Sequence, residues 1–280
     1  MKKGLRRSIV LALVLMLALF SLGGCGNSDV GEENNGKEVT GETTDKYAEI
    51  VDKGYLVMGL DDTFAPMGFR NEKNEIVGFD VDLANEVFTR LDLEVRFQPI
   101  DWTMKETELN TGNIDVIWNA YTITAERKEK VAFTEPYLQN KQVVITMAAS
   151  EINVKADLAG KVVAIQNQSS AIDAVNTEPE LVASFKDGEP VLFDTNNECF
   201  MDLEAGRSDA VVADEVLARY YVKLRGAEKY KILAEDFGEE DYGIGVRKAD
   251  VQLLAAINNT LDEMREDGKF LEFHEKWFEQ

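Results

Sequence analysis

Histidine is almost missing: His274 is the only one in 280 residues. The usual general base and the commonest metal ligand are therefore scarce, and a Ser-His-Asp triad could be built on His274 alone. That residue sits in a helical stretch whose Phe270, Phe273, Trp277 and Phe278 fall on one side, and it reads as packing at the edge of that face. Nucleophile-elbow and phosphate-loop patterns are also lacking, so an enzyme is not the expected reading. The only cysteines, Cys25 and Cys199, rule out a disulfide framework, and Cys199, beside Phe200 and Leu203, reads as a buried core thiol. Positive charge is short, with 30 Lys and Arg against 52 Asp and Glu and a net charge of −22. No nucleic-acid partner is expected, because phosphate contacts require clustered basic residues. Asp80 and Asp82 form an Asp-x-Asp, but no further calcium-loop ligands follow. Neither a metal nor a cofactor is expected.

Long apolar runs are limited to Ile9–Leu22, which is too short to span a bilayer comfortably. Lys2, Lys3, Arg6 and Arg7 precede it and Leu22-Gly23-Gly24-Cys25 ends it. This arrangement is similar to a bacterial lipoprotein lipobox, so residues 1–24 are expected to be a signal peptide and Cys25 the lipidated residue. Removing 1–24 takes four positive charges and no negative ones, which leaves the remainder more acidic still. Residues 25–45 are rich in Gly, Asn, Thr and Glu and poor in large apolar side chains, the composition of a flexible acidic tether. The folded part is expected from Lys46.

Within it, apolar runs alternate with helical patterns. Tyr55–Leu60 reads as a strand ending in Asp61. Phe79 to Leu91 repeats apolar residues at helical spacing. Ile114–Trp118 reads as a buried parallel strand, after which Thr124 is placed to cap a short charged helix. Lys161–Ile165, Asp209–Val212 and Tyr242–Val246 read as further strands. Gly112-Asn113-Ile114-Asp115-Val116-Ile117 and Gly206-Arg207-Ser208-Asp209-Ala210-Val211 share a Gly-x-x-Asp-apolar-apolar pattern, a weak echo consistent with two similar βα units. Polar groups recur where strands end: Asp61 with Phe64, Asn119 to Arg127, Gln166 to Ser170, and Asp214. In open α/β sheets ligands bind at that edge. Arg127 offers a planar fork for a carboxylate, Ser169 and Ser170 open a helix where backbone N–H groups favour an anion, and Asp214 offers a negative charge. Phe64 and Trp102 offer aromatic faces. An anion site, a cation site and an aromatic wall suit a free α-amino acid.

The sequence resembles the polar amino-acid solute-binding proteins of ABC importers (bacterial extracellular solute-binding family 3) from about Lys46 to Gln280. The resemblance is carried by Gly78-Phe79-Asp80-Val81-Asp82-Leu83-Ala84, Thr122-Ile123-Thr124-Ala125-Glu126-Arg127, Phe133-Thr134-Glu135-Pro136-Tyr137, Tyr242-Gly243-Ile244-Gly245-Val246 and Lys276-Trp277-Phe278. It implies an α/β fold of the periplasmic-binding-protein-like type II: a two-lobe clamshell, each lobe a mixed sheet flanked by helices. Lobe 1 would comprise 46–138 and 242–280, and lobe 2 would comprise 142–238, with crossings near 137–141 and 238–241. It further implies that Arg127 and backbone groups near Ser169 and Ser170 take the α-carboxylate. Asp214, Thr122 and the carbonyl near Asn119 would take the α-ammonium, beside Ala120, with Phe64 and Trp102 enclosing the side chain. Asp61 and Gln166 would face that side chain and favour a polar neutral or cationic amino acid, arginine and glutamine first, with cystine kept open. The family often has Gly at the positions of Ala120 and Gln168. The implied protein is a monomer, lipid-anchored on the outer face of the cytoplasmic membrane and working with an ABC permease. Two rivals share the fold: a cyclohexadienyl dehydratase and the ligand-sensing partner of a receptor.

Overall fold

The computed structural model describes residues 44–279. The expected leader, the lipidation at Cys25 and the tether up to residue 43 lie outside the described residues.

Helix α1 (Tyr47–Lys53) is stopped by Gly54 in the left-handed conformation; it buries Ile50, whereas Val51 is exposed. Strand β1 (Tyr55–Leu60) follows, then a small antiparallel sheet of β2 (Thr63–Phe64), β3 (Gly68–Arg70) and β4 (Ile76–Val77). Helix α2 (Phe79–Arg90) buries Phe79, Leu83 and Val87 along one line and Ala84 and Phe88 beside it, the spacing of a helix with one inner stripe. Gly78, just before α2, has φ 149°, and a Cβ there would lie 2.1 Å from the Met67 carbonyl oxygen. Only glycine fits that approach. Strand β5 (Glu94–Pro99), α3 (Lys105–Thr111), β6 (Val116–Thr122), α4 (Ala125–Lys130) and β7 (Ala132–Phe133) complete this part.

Strand β8 (Leu138–Met147) leads to β9 (Val163–Gln166), α5 (Ser170–Asn176), α6 (Pro179–Ser184), β10 (Val191–Phe193), α7 (Asn196–Glu204), β11 (Ala210–Asp214) and α8 (Glu215–Arg225). The long β12 (Tyr230–Val246) returns the chain to the first part, which α9 (Val251–Glu266) and α10 (Lys269–Phe278) close. His274 lies against Phe79 and Phe278, as its apolar surroundings imply.

The strands form one sheet in the order β10-β9-β11-β8-β12-β6-β1-β5, with β7 paired to β12. Strands β5, β1 and β6 are mutually parallel and meet an antiparallel β12. Strands β10, β9 and β11 are likewise parallel and meet an antiparallel β8. Each half thus repeats one pattern, and β8 pairs with β12 at the centre. The two Gly-x-x-Asp echoes lead into β6 and β11, which hold equivalent places in the halves. The mixed α/β fold agrees with expectation.

Two strands run further than their apolar runs suggest. β6 continues through Asn119, Ala120, Tyr121 and Thr122, all buried, where a loop was expected. Tyr242 pairs with Thr122 and Gly243 with Tyr121, so this polar segment keeps a strand partner. β12 begins twelve residues before Tyr242, at Tyr230.

Candidate functional site

Strands β1 and β6 of one half stop at Leu60, just before Asp61, and at Thr122, and β9 and β11 of the other half stop at Gln166 and Asp214; the polar groups at these ends converge. A narrow cavity of about 10 Å³ is lined by Phe64, Trp102, Asn119, Ala120, Thr122, Arg127, Gln166, Ser169, Ser170 and Asp214. Every site residue expected from sequence lines it except Asp61. The cavity is small for a ligand site because its walls bond across it. Thr122 Oγ1 and Ser170 Oγ lie 2.9 Å apart, and Gln166 Nε2 donates to Asp61 Oδ2 at 3.0 Å. Arg127 Nη2 donates to the Gln168 carbonyl at 3.2 Å.

Arg127 is positioned by α4, whose Thr124 hydroxyl accepts the Arg127 backbone N–H at 3.1 Å. Its guanidinium is buried, lies 4.7 Å from the Tyr121 ring centroid and donates at 2.9 Å to the Thr122 carbonyl. Among the described residues no carboxylate forms an ion pair with it. A buried cation bonded only to carbonyls retains most of its desolvation cost, and a ligand carboxylate would offset it.

A second buried cation stands beside it. Lys105 is 1% exposed and its Nζ donates to the carbonyls of Trp102 at 3.0 Å and Gln168 at 3.3 Å. Burial lowers its pKa to about 8, and the neighbouring charge of Arg127 acts in the same direction. Sequence reasoning missed Lys105, because a lysine opening a charged helix gives no spacing signal.

Ser169 is the N-cap of α5, but its hydroxyl donates to the Gln166 carbonyl at 2.8 Å instead of capping. Asp214 precedes α8 and likewise makes no side-chain cap, so helix capping does not account for it. Asp214 is 4% exposed, and burial pushes its carboxyl well above the usual carboxylate range, with the charge of Glu240 adding to the rise.

Asp61 stands behind the cavity wall. Its Oδ1 accepts the Thr63 N–H and hydroxyl at 2.9 and 2.6 Å, and its Oδ2 accepts from Gln166. Gln166 in turn accepts from Asn196 Nδ2 at 2.7 Å, which fixes its orientation. Burial raises the Asp61 pKa against these hydrogen bonds. Asn119 Oδ1 accepts the Asp61 backbone N–H at 3.0 Å, so this side chain braces β1 against β6.

Ala120 and Gln168 have φ of 49° and 53°. Both lie in the left-handed region, where glycine carries no Cβ penalty. Asp80 holds the Ala120 N–H at 2.8 Å. Burial lifts the Asp80 pKa to about 7, overriding the benefit an acid normally gains in a first helical turn.

The family model for bacterial extracellular solute-binding proteins, family 3, matches residues 56–280. The chain belongs to this family. Among relatives, the L-cystine-binding protein TcyJ of Escherichia coli (strain K12) is 29% identical over 82% of this chain and 85% of its own. The ABC transporter glutamine-binding protein GlnH of Bacillus subtilis (strain 168) is 28% identical over 99% and 98%. A histidine-bound substrate-binding protein of an ABC uptake transporter from Streptococcus pneumoniae superposes with a TM-score of 0.82 at 37% identity, covering 84% of this chain and 97% of that one. An ancestral arginine-binding protein bound to glutamine gives 0.75 at 38%, over 81% and 99%. These family relatives are binding proteins rather than dehydratases.

Proposed function

We propose that the protein captures a polar L-α-amino acid, neutral or cationic, and delivers it to an ABC permease. The observation that carries this reading is a buried arginine that has no carboxylate partner among the described residues and shares one cavity with a buried aspartate. A zwitterion satisfies both. Arg127 and backbone groups near Ser169 and Ser170 take the α-carboxylate; Asp214, Thr122 and the carbonyl near Asn119 take the α-ammonium. Phe64 and Trp102 enclose the side chain, which meets Gln166 with Asp61 behind it. A guanidinium or amide can bond to these groups, whereas a second carboxylate faces the Asp61 charge in a desolvated setting. Arginine and glutamine are the first candidates and cystine remains open, in keeping with the names of the relatives.

The movable units are residues 46–138 with 242–280, and residues 142–238, turning about the paired segments of β8 and β12. The protein acts as a monomer held by a lipid on Cys25 at the outer face of the cytoplasmic membrane. Cys25→Ser should release it or leave it unprocessed, and unaltered anchoring would disprove the lipid attachment. Calorimetric titration with arginine, glutamine, cystine and glutamate tests the ligand class. Arginine or glutamine should bind tightly and glutamate weakly; tightest binding to glutamate would overturn the assignment.

A further inference from the structure

A second carboxylate stands behind Asp214. Asn140 Nδ2 donates to Asp214 Oδ1 at 2.8 Å and to Glu240 Oε1 at 2.7 Å. Gln142 Nε2 donates to the same two oxygens at 3.1 and 2.8 Å. The Tyr242 hydroxyl adds a third donor to Asp214 Oδ1 at 2.5 Å. Every one of these donors is neutral.

The nearby charges are engaged elsewhere. Lys141, between the two amides on β8, lies 3.1 Å from Asp236 and 4.0 Å from Glu215. Glu215, on α8, holds Arg219. Arg127 lines the same cavity but gives its bonds to the Thr122 and Gln168 carbonyls. Among the described residues neither Asp214 nor Glu240 forms an ion pair. Asp214 is buried and Glu240 half-buried, and two acids sharing donors there ionise together less cheaply than in water. Burial raises the Asp214 pKa first of all, and the charge of Glu240 adds to the rise.

We propose that Asp214 and Glu240 hold one proton between them in the ligand-free protein, and that the α-ammonium of a captured amino acid takes its place. This rests on the reading of Asp214 as the ammonium site. An O–H bond breaks, the proton passes to solvent, and an ammonium N–H turns to the freed carboxylate; no electrons are exchanged. Glu240 thereby becomes a specificity residue, because its charge favours ligands that bring a cation to Asp214. Capture strengthens as pH rises, by up to about tenfold per unit between the ligand-bound and ligand-free pKa values of the pair. Below the lower of these the dependence vanishes.

Two measurements test the exchange. In ligand-free protein, infrared spectroscopy should show the carbonyl stretch of a neutral carboxyl that disappears in both Asp214→Asn and Glu240→Gln. Persistence of the full band in both variants would overturn the shared proton whatever the ligand. Thermal melts of the variants confirm folding, and Glu240→Gln retains an acceptor oxygen. Calorimetry with L-arginine and L-glutamine in buffers of different ionisation enthalpy should then register about one proton released per ligand by the wild type. Glu240→Gln should release far less and bind with a flatter pH profile. Tight binding without proton release overturns the exchange and leaves the binding function standing. Failure of every amino acid to bind, with the band in place, overturns the binding function and the exchange while keeping the shared proton.

Discussion

Arg127 and Asp214 were legible because each is a charged residue next to a clear strand-to-helix transition, where open α/β sheets place their ligands. Lys105, Glu240, Asn140 and Gln142 were not, since their importance arises only when β8, β12 and α3 come together around the cavity. Asp61 shows the converse: its position at a strand end was readable, but its orientation depended on Thr63 and on Gln166, more than a hundred residues away. For Arg127 the expectation is quantitative. A hydrogen bond to a charged group contributes about 1.5–3 kcal/mol, and 1.4 kcal/mol is a factor of ten in affinity. Arg127→Ala should weaken amino-acid binding by about a hundredfold while leaving the fold unchanged by circular dichroism. A wild-type titration from this variant would show that the α-carboxylate binds elsewhere.

At the scale of elements, β6 and β12 show why boundaries escaped the sequence. Asn119 to Thr122 breaks the apolar pattern of the preceding residues, yet backbone pairing with β12 carries the strand on into the site. The first part of β12 contains Glu235, Asp236, Glu239, Glu240 and Asp241, so no alternation marks it, and pairing with β8 supplies what composition does not. The extension of β6 has a cost at Ala120. A non-glycine residue at left-handed φ loses roughly 1–2 kcal/mol, part of which glycine gives back through its freer unfolded chain. Ala120→Gly should therefore stabilise the protein by about 1 kcal/mol and raise its Tm by about 2–4 °C. A lower Tm on calorimetry would mean that the freer unfolded chain of glycine and the loss of the buried Ala120 methyl outweigh relief of the Cβ.

For the whole molecule, the six-residue echo before β6 and β11 foretold a repeated arrangement, but not that β8 and β12 would join both halves in one sheet. If the two units move as proposed, bonds made directly across the cavity hold them together. Besides those that line it, the Tyr221 hydroxyl on α8 donates to the Thr63 carbonyl at 2.8 Å. On that proposal such bonds would favour a closed form even without ligand, and apparent affinity rises with the fraction of protein that is binding-competent. Among the described residues the Tyr221 hydroxyl forms no hydrogen bond with a side chain assigned to the ligand, and its ring packs on Phe200 at 5.1 Å between centroids, a contact that phenylalanine would keep. Tyr221→Phe should thus remove one hydrogen bond, about 0.5–1.5 kcal/mol, from the closed form alone. The affinity for arginine or glutamine should fall about two- to tenfold, equivalent to that loss. Small-angle scattering should show a larger radius of gyration than wild type before ligand and the same compact value at saturation. Wild-type affinity together with an unchanged ligand-free radius would mean that this bond does not govern closure.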